Sequence, residues 1–205
     1  MSFIAAVRAV VENGKAAVIA AAIVSLLMNA AWAETISSAR PETWAQPVNL
    51  EGVPKLYRVS DALYRSEQPS RLGMKNLKQL GIKTFVNLRW LHSDRRKIGE
   101  LDSEYEHIYM TAWHPEEKEV VRFLRIVSNP KRTPVLVHCH YGADRTGTMV
   151  AVYRIAMQGW SKEEAIREMT EGGFGFHRTW SNLPKWIQKL NIDSLKRQAG
   201  IGGTK

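Results

Sequence analysis

A chain of 205 residues is long enough for one domain of ordinary size with a segment to spare. Its composition, 44% hydrophobic and 24% charged with seven tryptophans, excludes a disordered or fibrous protein and calls for a substantial core. A formal charge of +9 points to anionic ligands, whether phosphorylated substrates, nucleic acid or anionic membranes, and the one cysteine, Cys139, excludes an internal disulfide.

The N-terminus carries Arg8 and Lys15, then an apolar run from Ala16 to small residues at "AWA", Ala31 to Ala33. That order of basic, apolar and A-x-A segments predicts a secretory signal at residues 1–33, cut near Ala33, and hence a periplasmic or secreted chain of charge +8. An uncleaved membrane anchor is the alternative, since residues 16–33 reach the lower edge of a span. Residues 34–49, polar with two prolines, read as a linker or lead-in strap.

A domain is expected over residues 50–192. "LYRVSDALYRSEQPS" predicts two short strands around a turn. Leu72, Leu77 and Leu80 in helical register predict a helix from Ser70 to its stop at Gly81. "IKTFVNL" is a buried strand ending at Arg89, "HSDRRKIGELDSEYE" a loop with a short helix, and "HIYM" another strand. "HPEEKEVVRFLRIV" opens with proline and acidic residues and sets Val120, Val121, Leu124 and Val127 on one helical face. "TPVLVHC" has the continuous apolar character of a central parallel strand. An apolar helix after a glycine loop ends at Gly159, Ser161 and Glu164 form a capping box for the next, and a last helix near "SNLPKWIQKLN" precedes a flexible basic tail at 193–205. Strands alternating with helices give the fold class: α/β, a central mostly parallel sheet flanked by helices, in a single domain. The tryptophans are expected in the core.

The central strand delivers Cys139 to the C-terminal edge of the sheet, where open α/β folds place their ligand sites. Gly142 then makes a tight loop and a helix begins near Arg145, so loop amides and helix N-terminus form an anion cradle over the sulfur. Such surroundings lower a thiol from about 8.5 to about 3.5–7.5 and make a nucleophile. Arg145 supplies a planar fork for two phosphoryl oxygens, and the Thr146 hydroxyl can assist the sulfur as a leaving group.

The string His138, Cys139, Gly142, Arg145, Thr146, Gly147 resembles the H-C-x-x-G-x-x-R-T phosphate loop of cysteine-dependent protein tyrosine and dual-specificity phosphatases. "LYRSEQPS" and "GIKTFVNLR" look like the compact bacterial type, and the resemblance spans residues 50–192. It implies attack by Cys139 on phosphorus, a phosphocysteine and its hydrolysis, with no metal or other cofactor. The implied substrates are phosphotyrosine, phosphoserine or phosphothreonine in proteins, with Arg145 and the loop residues His140, Tyr141, Gly142, Ala143, Thr146 and Gly147 around the phosphate.

The proton donor is less evident. The family places an aspartate on a separate loop, where this chain has "TAWHPEEKE" without one; Glu116 is the nearest candidate, with His114 and Glu117 behind it. Asp144 is the other candidate and the preferred one, because C-x-x-G-x-D-R also resembles the loop of myotubularin-type phosphoinositide phosphatases and proximity follows from sequence. Glu116 can equally serve the helix dipole, and Asp144 can equally orient loop amides or pair with an arginine.

His138 is expected behind the loop, tuning Cys139. Arg65 and Arg89 are candidate secondary anion contacts, and Glu171, His177 and Asn182 candidates to position water. His138, Cys139 and His140 make a poor metal set, since adjacent strand residues point to opposite faces. A protein or other phosphomonoester is thus the expected partner, with no nucleic acid, and with peripheral contact to anionic membranes open to the basic surface. The competing readings are a phosphoinositide or inositol phosphate phosphatase, a phosphate-binding module with little turnover, and a rhodanese-like sulfurtransferase.

Overall fold

The computed structural model describes residues 40–202 apart from residues 100 and 102. The expected signal, and residues 34–39 of the strap, lie outside the described residues. The chain divides into Met1–Pro41 and Glu42–Lys205, and the sheet and its helices belong to the second unit.

Among the described residues six strands form one sheet: β1 Gln46–Pro47, β2 Tyr57–Arg58, β3 Leu63–Ser66, β4 Thr84–Asn87, β5 Glu104–His107 and β6 Val135–His138. Their order is β1-β2-β3-β6-β4-β5; β3, β6, β4 and β5 are mutually parallel and β1 and β2 add antiparallel at one edge. Ser66, His138, Asn87 and His107 stand in one row across the parallel part. The ends of β3 and β4 therefore flank the loop that begins at Cys139.

Alternation along the strands assigns their two faces. Phe85 and Leu136 pack with Met74 and Leu77 of α1 (Arg71–Gln79), whose N-terminus Ser70 caps by accepting from the Gly73 amide at 3.0 Å. Val86, Val135 and Val137 face the larger cluster built by α3 (Glu117–Val127) and α4 (Asp144–Gln158). The short α2 (Arg95–Ile98) follows β4. α5 (Lys162–Glu171) and α6 (Asn182–Lys189) bury Ala165, Met169, Leu183 and Ile187 against Ala151 of α4.

Three expectations are corrected. The strand expected at 107–110 lies three residues earlier, as β5; its exposed edge carries Glu104 and Glu106, which pair with Arg132 and Arg122, so the apolar signal came from Ile108 and Met110, buried just beyond the strand. The tail expected to be flexible forms α7 (Ile192–Ala199), because Asn191 caps it and fully buried Leu195 anchors it, while the Gln198 carbonyl accepts from Arg125 at 2.7 Å. Trp90 and Trp113 are exposed, not core.

One buried ion pair ties the start of this unit to its helices. Arg154 of α4 donates to both carboxylate oxygens of Glu168 of α5 at 2.8 and 2.6 Å, to the Val59 carbonyl at 3.2 Å and to Gln158 at 2.7 Å. Glu168 also accepts from the Ala45 amide at 2.6 Å. Breaking such a pair on one side strands a buried charge. Glu168→Leu should therefore lose roughly 3–5 kcal/mol in urea unfolding, and the double variant Arg154→Met with Glu168→Leu should regain most of it.

Candidate active site

Cys139 is 2% exposed, free, and the first residue after β6. From there the chain turns through Gly142, whose φ of +67° is a left-handed conformation. A side chain at Gly142 would also strike the backbone of Ser66 and Glu67 at 2.5 Å, so this glycine lets the loop lie against the end of β3. Ala143 then opens α4 without a side-chain cap. Among the described residues, the main-chain N–H groups of His140, Tyr141, Gly142 and Ala143 donate to no protein acceptor. The loop is thereby an array of free donors at a helix N-terminus, with partial positive charge to match.

A second set of residues holds the loop from behind. His138 is fully buried, with Nδ1 3.0 Å from the Cys139 carbonyl and Nε2 3.1 Å from Oδ2 of Asp94. Asp94, also fully buried, accepts from Gln68 and from Asn87 at 2.7 Å each. Burial alone would raise this carboxyl, but the hydrogen bonds from His138 and Gln68 and the charge of Lys97 prevail and hold it below the ordinary carboxylate range. Gln68 passes the constraint on: its side-chain oxygen accepts from Arg89, and its amide donates to the His140 carbonyl at 3.2 Å.

The residues that follow Cys139 open onto a cavity of about 490 Å³ whose wall includes Arg89, His92, Thr111, Ala112, His140, Asp144, Arg145 and His177. Its rim is aromatic. Trp90, Trp113 and Tyr141 are each more than half exposed, Trp90 meets Trp113 edge to face at 5.9 Å, and Trp113 lies 6.5 Å from Trp180. Arg145 is partly buried, with one guanidinium nitrogen 3.4 Å from the Leu88 carbonyl. Asn182 anchors the opposite wall, donating to the Ala112 carbonyl at 2.9 Å.

The structure thus brings Arg145, Asp144, His140 and Tyr141 together as expected from the sequence, and places His138 behind the loop. It separates others. Thr146 and Gly147 lie buried in the first turn of α4; an added Cβ at Gly147 would be 2.9 Å from Met169. Arg89 lines the cavity, but Arg65 does not: it is 1% exposed beneath the loop, donating to the Gly142 carbonyl at 2.7 Å and stacked 3.7 Å from the Phe174 ring. Burial lowers its guanidinium to about 10, with Glu168 and a Cys139 thiolate opposing, so it stays charged at neutral pH. Glu116 caps α3 outside the cavity wall, where a hydrogen bond from Lys118 holds its carboxyl below the ordinary range. Glu117 and His114 are outside the wall too, as is Glu171, while His177 is in it and binds Asp144. Asp94, the hub of the rear network, carried no sequence signal; it sits in a polar stretch that reads as ordinary loop.

A free cysteine at the C-terminal end of a central parallel strand, followed by a loop of free amides and an arginine in the next helix's first turn, defines a cysteine-dependent phosphatase. Comparison with known proteins agrees: the family model described as DSP-PTPase phosphatase fused to NAD+ kinase matches residues 53–182. Dual specificity protein phosphatase TpbA of Pseudomonas aeruginosa is 34% identical over 165 residues, covering 80% of this chain and 74% of that protein. A crystal structure of a TpbA variant in complex with pTyr has a TM-score of 0.70 at 33% identity, covering 80% of this chain and 100% of that one. The fold alone extends to the core catalytic domain of the PP-IP phosphatase SIW14 from S. cerevisiae, at TM-score 0.60 and 22% identity over 76% of this chain and 94% of that one. The chain belongs to the DSP-PTPase phosphatase family.

The start of α3, next to the cavity loop, makes stability depend on pH. Glu119 is 6% exposed and accepts from the Glu116 amide at 3.0 Å. Burial, aided by the charge of Glu116 and opposed by that hydrogen bond, pushes its carboxyl up to about 7. Folded protein then holds a proton that unfolded chain has lost, so stability falls as pH rises from the ordinary glutamate value to about 7 and is flat above it. Glu119→Gln removes this loss and keeps an acceptor. Chemical unfolding at pH 5 and pH 8 should show the variant gaining on wild type by roughly 1–3 kcal/mol between them.

Proposed function

We propose that the protein is a phosphomonoesterase that hydrolyses phosphotyrosine, with phosphoserine and phosphothreonine, in proteins through a phosphocysteine and without a metal. One observation carries the reading: buried Cys139 leads directly into the free amides of residues 140–143 and then Arg145, and His140, Tyr141 and Arg145 of that stretch line a cavity with an aromatic rim.

In this mechanism the amides and Arg145 bind the three non-bridging oxygens and hold them as charge gathers on them in the transition state. Cys139 attacks in line, the P–O bond to the leaving group breaks, and water later cleaves the P–S bond. Arg65 supports the attacking form as a fixed buried cation below the loop, and its bond to the Gly142 carbonyl fixes the loop's curvature. Thr146, whose buried hydroxyl meets no protein acceptor, is the donor for the departing thiolate. Guanidinium and amides supply the charge neutralisation that a metal would otherwise bring.

The rim supports an aryl phosphate. Trp90, Trp113 and Tyr141 offer flat apolar surface for a tyrosine ring, and the pTyr complex of TpbA is consistent with this. The phosphoinositide or inositol phosphate reading has less support: Arg89 and Arg145 are the lysine or arginine residues of the wall, fewer than a polyphosphorylated ring would engage.

The test is phosphate release from a phosphotyrosine peptide and an aryl phosphate with chelator present. Wild type should turn over both, Cys139→Ser should abolish turnover, and Arg145→Lys should lower kcat/KM roughly 100-fold or more, because an ammonium cannot span two oxygens. Turnover that survives Cys139→Ser, or that chelation removes, would sink the reading. Faster release from inositol phosphates than from the peptide would move the substrate class.

A further inference from the structure

The separate loop at 111–116 has no aspartate, and Glu116 stands outside the cavity wall, ionised beside Lys118. The leaving group still needs a proton, since a tyrosine hydroxyl has an ordinary value near about 10. We infer that His177 donates this proton, held by Asp144 as its positioning residue.

Asp144 is not free to act as a simple acid. Its Oδ1 accepts from the His177 amide at 2.9 Å and its Oδ2 lies 2.8 Å from His177 Nδ1. These two contacts grip both the backbone and the ring of one residue, 33 positions away in sequence. An ionised carboxylate only accepts, so Nδ1 carries hydrogen and Nε2 is the nitrogen left to exchange a proton. The ring is about half exposed on the cavity wall, 5.6 Å from Tyr141. Asp144 is itself one-tenth exposed and fixed by the first turn of α4, immediately before Arg145. The anion fork and the ring are therefore positioned by the same helical turn.

The charged and titratable groups around this ring are Asp144 and Arg145 from α4, His140 and Tyr141 from the loop, and Arg89 and His92 after β4, with Arg178 next in the chain. Neither Arg89 nor Arg145 gives up a proton. His140 is a poor donor, because burial and the charges of Arg89 and Arg145 push its imidazole down. His177 has instead a carboxylate on its far nitrogen, the arrangement that holds an imidazole in one tautomer and orientation.

The step balances. The Cys139 thiolate forms the P–S bond as the P–O bond breaks; the electron pair goes to the leaving oxygen, which takes the proton from His177 Nε2. Neutral His177 then takes a proton from the water that attacks phosphorus, and the P–S electrons return to the thiolate.

This inference rests on the phosphocysteine reading, and kinetics separate the two. kcat/KM of the full chain is measured for wild type, His177→Gln, Asp144→Asn, His92→Gln and Cys139→Ser, on a phosphotyrosine peptide and on p-nitrophenyl phosphate, whose phenoxide departs readily without a proton. For His177→Gln the expected loss is roughly 100- to 10,000-fold on the peptide but under about 10-fold on the nitrophenyl ester, and the fall of wild-type kcat/KM at alkaline pH should disappear. Asp144→Asn should show the same asymmetry to a smaller extent. Equal losses on both substrates would mark a structural role and overturn the inference, as would no loss, or the asymmetry appearing in His92→Gln instead. If wild type is inactive on both substrates, or Cys139→Ser retains activity, the phosphocysteine reading falls and the proton donor with it.

Discussion

The buried carboxylate of Asp94 is the constraint on which the site depends. A carboxylate away from water is tolerated only where donors replace its hydration, and here the donors come from three places at the C-terminal edge of the sheet: Gln68 beyond β3, Asn87 at the end of β4 and His138 at the end of β6. Satisfying one anion therefore fixes three chain segments relative to each other. His138 is immediately before the nucleophile, and Gln68 holds both Arg89 and the His140 carbonyl. The position of the sulfur and the curvature of the loop over it thus follow from a group that touches neither cavity nor substrate.

The charges around the loop are arranged in depth. Arg65 lies beneath it, out of water and committed to the Gly142 carbonyl, while Arg145 and Arg89 line the cavity. A buried cation acts through a low dielectric and costs no reorganisation when negative charge develops above it. The other cations are elsewhere: among the described residues, most of the lysines and arginines lie outside the cavity wall. Net charge then bears on approach of an anionic substrate, whereas the rim of tryptophan and tyrosine bears on what carries the phosphate.

The fold and the centre of the site were legible because each rests on a local pattern. Valine-rich β6, the glycine at a left-handed turn and the arginine in the first turn of α4 are separated by a few residues, and their spacing alone determines that they converge. What was not legible depends on partners distant in sequence. Arg65 reads as a strand-end arginine like Arg89, and only packing against Phe174 turns it beneath the loop. Asp94 reads as one polar residue in a polar loop until Gln68 and His138 are beside it. Trp90 and Trp113 read as core by composition, yet line a cavity, because an aromatic ring serves equally to fill space or to make a wall. α7 was hidden for another reason: its apolar stripe is only Ile192, Leu195 and Ala199, and of these Leu195 alone is fully buried, so a short helix rich in charge reads as tail.

The placement of the acidic residues bears on how the chemistry is divided. A proton donor on a separate loop must be brought to the leaving group by that loop's position, and here the 111–116 segment is pinned by Asn182 through the Ala112 carbonyl and runs straight into the capped start of α3. Its contribution is apolar wall, through Ala112 and Trp113. Asp144, by contrast, belongs to the same helical turn as Arg145, and its carboxylate is already spent on gripping His177 from the segment before α6. With that grip, the first turn of α4, Arg145 included, and the His177 ring are held to one another. If His177 is the proton donor, as proposed, the 111–116 segment is left to supply wall and no acid.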